Sequence, residues 1–242
     1  MVEPKGGLEY ARPMSVEHRV AGHLGVAADE YDRTIRTFIP NYERMVTTVV
    51  QWLDGHVPAG GLVVDLGAGT GALGAAVLDA LPDVRVELVD IDPNMLEVAA
   101  ARCAPHAGRF EVRHARFEDD LPACHAVVAS LALHHVAADS DKCDLYRAIR
   151  AALEPGGLVL VADALTYEDG PERAHMIEGL LGHMALSGIS ASEAHAHLAQ
   201  WAEEDTYKTL PGELALIHEA GFPRPDVFWR DGLIAVYGAF RD

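Results

Sequence analysis

The nine residues Val63-Val-Asp-Leu-Gly-Ala-Gly-Thr-Gly71 constrain the fold of this chain more than any other stretch. An apolar run reaches an acidic residue, Asp65, and passes into Gly67, Gly69 and Gly71, and a helix-like stretch from Ala72 to Leu81 follows at once. Physically this is a buried strand, a tight turn and a helix N-terminus. Glycines at the turn let the backbone swing through positive φ, and they let a ligand approach the main chain with no Cβ in the way.

The same alternation runs on downstream. Strand-like apolar runs at Leu62–Leu66, Arg85–Asp90, Phe110–His114, Ala126–Ser130 and Leu158–Ala164 are separated by helical stretches at Gly71–Leu81, Pro93–Cys103 and Asp141–Leu153. This order predicts an α/β fold, a mostly parallel sheet with helices on both faces and right-handed crossovers. Residues 1–14 read as a loose tail, and Ser15 to about Trp52 as two or three helices broken at Pro40. Ala174 to about Trp201 is helical sequence only. Pro211–Ala220 is a further helix, which Gly221 caps in the left-handed conformation, and Val227–Trp229 and Leu233–Phe240 are two last strands. The organisation expected is N-terminal helices over 1–61 and a main domain over 62–242, with a helical insertion at about 171–211 acting as a lid.

Composition limits the partners. With 19 basic against 37 acidic side chains the net charge is −18, which repels phosphate backbones, and no Lys/Arg cluster offsets it. A nucleic-acid partner is therefore not expected. No stretch approaches a membrane span, the first ten residues hold no apolar signal region, and three cysteines without a C-x-x-C pair suit a reducing cytoplasm. Histidine is abundant at 13, but His195 and His197 do not share a helix face, and no carboxylate or cysteine pattern completes the His175 and His183 pair. No bound metal is expected on that basis.

On the turn alone, Gly67-Ala-Gly-Thr-Gly-Ala72 also satisfies the loose fingerprint of dinucleotide-binding folds. The segment more closely resembles the first motif of class I S-adenosylmethionine (SAM) methyltransferases, D/E-x-G-x-G-x-G. That resemblance implies a seven-stranded Rossmann-like sheet whose last strands form an antiparallel hairpin. It also implies that Asp65 organises the loop around the methionine end of the cofactor, with Gly67, Ala68 and Gly69 against the ligand. Four further motifs extend the resemblance. Asp90 ends the second strand nineteen residues after Gly71, where it can accept hydrogen bonds from both ribose hydroxyls, and Asp92 before Pro93 fills the helix cap. Ile91 would pack on the adenine. In Ala115-Arg-Phe-Glu-Asp-Asp, Arg116 stands where the family has an acceptor for the adenine amino group, a role an Arg cannot fill, and Phe117 is the ring-stacking candidate. The fourth-strand pattern ending in Leu133-His-His135 places Ser130 and Leu131 under the cofactor. His134 and His135 are the catalytic candidates, as proton acceptors from a substrate hydroxyl or amine, or alternatively as cofactor-wall residues. The Leu153-Glu-Pro-Gly-Gly157 turn, absent from dinucleotide-binding folds at this position, completes the set.

The chain is thus identified as a member of the SAM methyltransferase family. The expectation is direct SN2 transfer to a small-molecule acceptor, with S-adenosylhomocysteine as product and a homodimer left open. The stretch from Tyr31 through Tyr42 also resembles carboxy-SAM synthase, in which a Tyr placed like Tyr42 touches the cofactor. That enzyme supplies an Arg from its helical insertion for the extra carboxylate, whereas no Lys or Arg lies between Ala174 and Tyr207 here. Carboxy-SAM synthesis and a non-catalytic SAM-binding module remain the alternatives.

Overall fold

The computed structural model describes residues 28–242, so the N-terminal tail and any helix beginning near Ser15 lie outside the described residues. Eight α-helices are described: α1 (Ala28–Phe38), α2 (Tyr42–Leu53), α3 (Ala72–Ala80), α4 (Pro93–Cys103), α5 (Asp139–Ala152), α6 (Pro171–Leu186), α7 (Ala191–Glu204) and α8 (Leu210–Glu219). The strands are β1 (Leu62–Leu66), β2 (Arg85–Asp90), β3 (Phe110–His114), β4 (Cys124–Ser130), β5 (Leu153–Ala164), β6 (Asp226–Asp231) and β7 (Ile234–Phe240). They form one seven-stranded sheet in the order β3-β2-β1-β4-β5-β7-β6. Neighbours from β3 to β5 pair in parallel, while β7 runs antiparallel to both β5 and β6.

The period-two alternation of strand side chains accounts for the two cores. Val63, Leu88, Val128 and Leu160 point to the face covered by α2, α3 and α4, where Met45, Val49, Val77 and Ala99 are buried. Val64, Val89, Val127 and Val161 point to the opposite face, where Tyr146 and Ile149 of α5 and Ile217 of α8 are buried. Across that second face the buried Lys142 Nζ lies 2.6 Å from Glu213 Oε1, and the Tyr146 hydroxyl donates to Glu213 Oε2 at 3.0 Å, joining α5 to α8.

Several boundaries differ from the sequence reading, among them the start of β4 at Cys124, the span of β6 and the division of the 174–201 stretch into α6 and α7. Helix α5 starts at Asp139, two residues early, because Asp139 and Asp141 suit its positive N-terminal end. Strand β5 starts at Leu153, within the Pro-Gly-Gly turn, because Cys124 pairs with Leu153 before the register shifts to Ala126 and Leu158. The turn is also tied to the chain's far end: Gly156 N donates to Arg241 O at 3.0 Å, and Arg241 N to Gly157 O at 2.7 Å. Helices α6 and α7, inserted after β5, pack against the N-terminal α1. There Phe38 meets Trp201 edge-on at 5.0 Å between ring centroids. No described helix is long and apolar enough to cross a membrane.

Candidate functional site

The strand order reverses between β1 and β4, and at such a point in an open α/β sheet a crevice forms beyond the carboxyl ends of the strands. A cavity occupies that place. Gly67, Ala68, Gly69 and Thr70 line it after β1, Asp90 and Ile91 at the end of β2, Arg116 and Phe117 after β3, and Ser130, Leu131 and His135 after β4, while Ile35 and Tyr42 cover it from α1 and α2.

The turn after β1 is anchored from beneath, since Gly67 N and Ala68 N both donate to Val89 O, at 2.8 and 2.9 Å. Its glycines serve different ends. A Cβ on Gly67, where φ is 76°, would stand 2.5 Å from the Ala132 Cβ, whereas one on Gly69, at φ 53°, would meet nothing within 4 Å. Gly67 is thus required by packing, and Gly69 leaves its space to the cavity. The Asp90 carboxylate clamps the turn from the second strand: Oδ2 accepts from Gly69 N at 2.7 Å and Oδ1 from Asp92 N at 2.8 Å. Asp92 caps α4 through Asn94 N at 2.9 Å, as its position before Pro93 predicts.

Asp65 lies beneath the turn, 1% exposed, and it also lines the cavity. Its Oδ2 accepts from Gly74 N at 2.9 Å, while Oδ1 has no hydrogen-bond partner among the described residues. Burial, against that single N–H and with Asp90 nearby, pushes its carboxyl up to about 7. A buried carboxylate with an unused oxygen on a cavity wall is matched to a positively charged ligand group. Burial also raises Asp90, and it pushes the Tyr42 hydroxyl up to about 12, leaving that phenol neutral and the Arg36 guanidinium 4.8 Å over its ring.

The two histidines separate. They sit in a 3-10 turn, Leu133–His135, that follows Leu131, a non-glycine held at φ 51° with its N–H bonded to Ala162 O at 2.8 Å. His135 faces the cavity, whereas His134 is buried behind the wall and does not line it. The His134 Nδ1 lies 2.6 Å from Asp163 Oδ1 at the end of β5, and its backbone N–H donates to Asp163 Oδ2 at 3.1 Å. Burial acts to lower the His134 imidazole, but the Asp163 charge and hydrogen bond, with Asp205, raise it above the usual value. Asp205, just past α7, lies 3.0 Å from His135 Nδ1 and accepts from the Tyr207 hydroxyl at 2.6 Å. Burial acts to raise the Asp205 carboxyl, yet these neighbours and His134 bring it down to about 2.

Asp163, Asp205 and Thr70 were missed by sequence reasoning. Asp163 carried a signal, a lone acid in the buried run Leu158–Ala164. Asp205 carried none, because it reaches the histidines only by the return of the chain after α7. The same return gathers His134, His135 and Asp205, one donor atom of each lying within 4.8 Å of the others. Thr70 Oγ1 donates to Asp32 Oδ1 at 2.6 Å, and Asp32 also pairs with Arg102, so α1 is fastened over the glycine turn. Met176, Met184, His175, His183 and Trp201 do not line the cavity; Met184 and Trp201 belong to the core between the insertion and α1.

Comparison with known proteins finds likenesses to methyltransferases and to a carboxy-SAM synthase. The sequence profile of the family described as "Methyltransferase domain" matches residues 64–159. The chain is 26% identical to a carboxy-S-adenosyl-L-methionine synthase of Chromohalobacter salexigens over 214 residues, 86% of this chain and 78% of that protein. It is 38% identical to a demethylspheroidene O-methyltransferase of Cereibacter sphaeroides over 115 residues, 46% of this chain and 30% of that protein. An O-methyltransferase family protein from Burkholderia thailandensis superposes with a TM-score of 0.67 at 19% identity, covering 89% of this chain and 60% of that one, a likeness of fold.

Proposed function

Because this chain belongs to the class I SAM-dependent methyltransferase family, with SAM as its cofactor, we propose that it moves the cofactor's methyl group to a small-molecule nucleophile by direct displacement. Bound SAM supplies an electrophilic methyl on a cationic sulfonium. The observation that carries the reading is the unused Asp65 oxygen beneath an open glycine turn, a negative, partly desolvated wall suited to a cationic ligand. In this reading Gly67, Ala68 and Gly69 cradle the cofactor backbone-first. Asp90 holds the turn and offers its carboxylate to the ribose hydroxyls. Ile91 and Phe117 sandwich the adenine beside Arg116, and Ser130 and Leu131 form the floor. Tyr42 and Ile35 close the acceptor side. Helices α1 and α2, the described part of the 1–61 segment, act with the insertion at 171–211 as a cover over the main domain at 62–242, aligning donor and acceptor and excluding water, which is where most of the acceleration arises. Of the two histidines, His135 meets the acceptor, and His134, held by Asp163, positions it.

The test is incubation of the protein with methyl-tritiated SAM and a metabolite extract. Tritium is expected in a single small-molecule fraction; SAM binding with no transfer to any fraction would instead indicate a binding module. A second reading, carboxy-SAM synthesis, is favoured by the similarity to the Chromohalobacter salexigens synthase along most of the chain. The lack of any Lys or Arg between Ala174 and Tyr207 counts against it, because a buried carboxylate without a cation is costly. Mass spectrometry of the nucleoside carried by purified protein separates the two, with ordinary SAM expected.

A further inference from the structure

One donor atom each of His134, His135 and Asp205 lies within 4.8 Å of the others, and His135 lines the cavity. From this cluster we propose a divalent-metal site, of the zinc or iron(II) class, at the acceptor end of the cavity. The donor set is the first argument. Two imidazoles and one carboxylate suit those ions, and Asp205 joins them only through the fold. The second is spacing. His135 Nδ1 lies 3.0 Å from Asp205 Oδ1, and His134 Nε2 lies 3.9 Å from Asp205 Oδ2. The first is close to the roughly 3.3 Å that separates two ligands on a tetrahedral ion with bonds of about 2.0 Å, and the second is to the other oxygen of the same carboxylate.

The third argument is the direction of lone pairs. Asp163 at 2.6 Å from His134 Nδ1 holds the ring proton on that nitrogen, so in the neutral ring the Nε2 lone pair faces the Asp205 carboxylate. A carboxylate on the far nitrogen of a ligating histidine is the usual outer support of a metal site, and the Tyr207 hydroxyl on Asp205 Oδ2 at 2.6 Å gives the carboxylate ligand the same support. The Thr206 N–H bond to His134 O at 3.0 Å holds the two segments in register.

Because His135 lines the cavity, an ion here faces the acceptor and selects compounds that present an oxygen donor, such as hydroxyl-bearing acceptors. This consequence rests on the methyl-transfer reading; the ion site itself does not. The test uses the full chain, freed of metal by a chelator and titrated with cobalt(II) as a spectroscopic stand-in for zinc. One equivalent is expected to bind with the visible d–d bands of a four- or five-coordinate ion. Affinity should fall at least tenfold in His135→Gln and in Asp205→Asn, and it should hold in His218→Gln, a histidine outside the cluster whose Nδ1 lies 3.2 Å from Phe222 O. Should Asp205→Asn fail to fold, His135→Gln, at a half-buried position, decides alone. Absence of the bands, or equal affinity in His135→Gln, would overturn the site and leave His135 as a general base. SAM titrated into the chelated protein is read separately: failure to bind would overturn the methyl-transfer reading without touching the cobalt result.

Discussion

Asp65 is the residue whose energetics depend most on what enters the cavity. Its folded-state value of about 7 stands above the ordinary carboxylate value of 3.8, so folding takes up a proton there. The stabilisation linked to that proton is complete below the unfolded value and is lost as pH rises through about 7. Relative to Asp65→Asn, the wild-type protein should therefore lose thermal stability between pH 4 and 7. A cationic ligand reverses the preference by favouring the ionised form. SAM affinity measured calorimetrically should rise from pH 6 to pH 8 in the wild type, by several-fold, and stay flat in Asp65→Asn; equal slopes in the two proteins would remove Asp65 from the site. Its place next to the glycines was legible in the sequence. Its spare oxygen was not, because that depends on Gly74 meeting only one side of the carboxylate.

At the scale of elements, the turn between β1 and α3 separates packing from binding. Gly67→Ala forces a Cβ against Ala132, while Gly69→Ala meets open space at a comparable positive φ. Both pay the left-handed penalty of about 1–2 kcal/mol for an L side chain. Gly67→Ala should lose clearly more than that in a denaturant melt. Gly69→Ala should lose about that much and yet weaken SAM binding at least tenfold, because its methyl occupies ligand space; unchanged SAM affinity in Gly69→Ala would contradict the cradle. Element limits from β1 to α4 were read closely, since apolar period, Gly and Asp-Pro signals coincide there. The start of β5 was missed because its first pairing, Cys124 with Leu153, is a bulged register that no local pattern announces.

Across the whole molecule, the loops after the strands supply one side of the cavity and helices α1 and α2 the other. The β-α alternation and five ordered motifs made the first side legible. The second depends on contacts that span the chain: Asp32 with Thr70 and Arg102, Phe38 with Trp201, and Asp205 with His135. Helical periodicity in 174–201 shows that a face is buried but not against what. That is why periodicity alone does not assign Met184 and Trp201, which the fold buries in the core. Cofactor binding by the whole molecule turns on the clamp that Asp90 places on the glycine turn. Isothermal titration of SAM into the wild-type protein and into Asp90→Ala measures it most directly. One SAM per chain is expected for the wild type, with affinity lower by at least a hundredfold in Asp90→Ala; no binding to the wild type, or equal binding to both, would contradict the site described here.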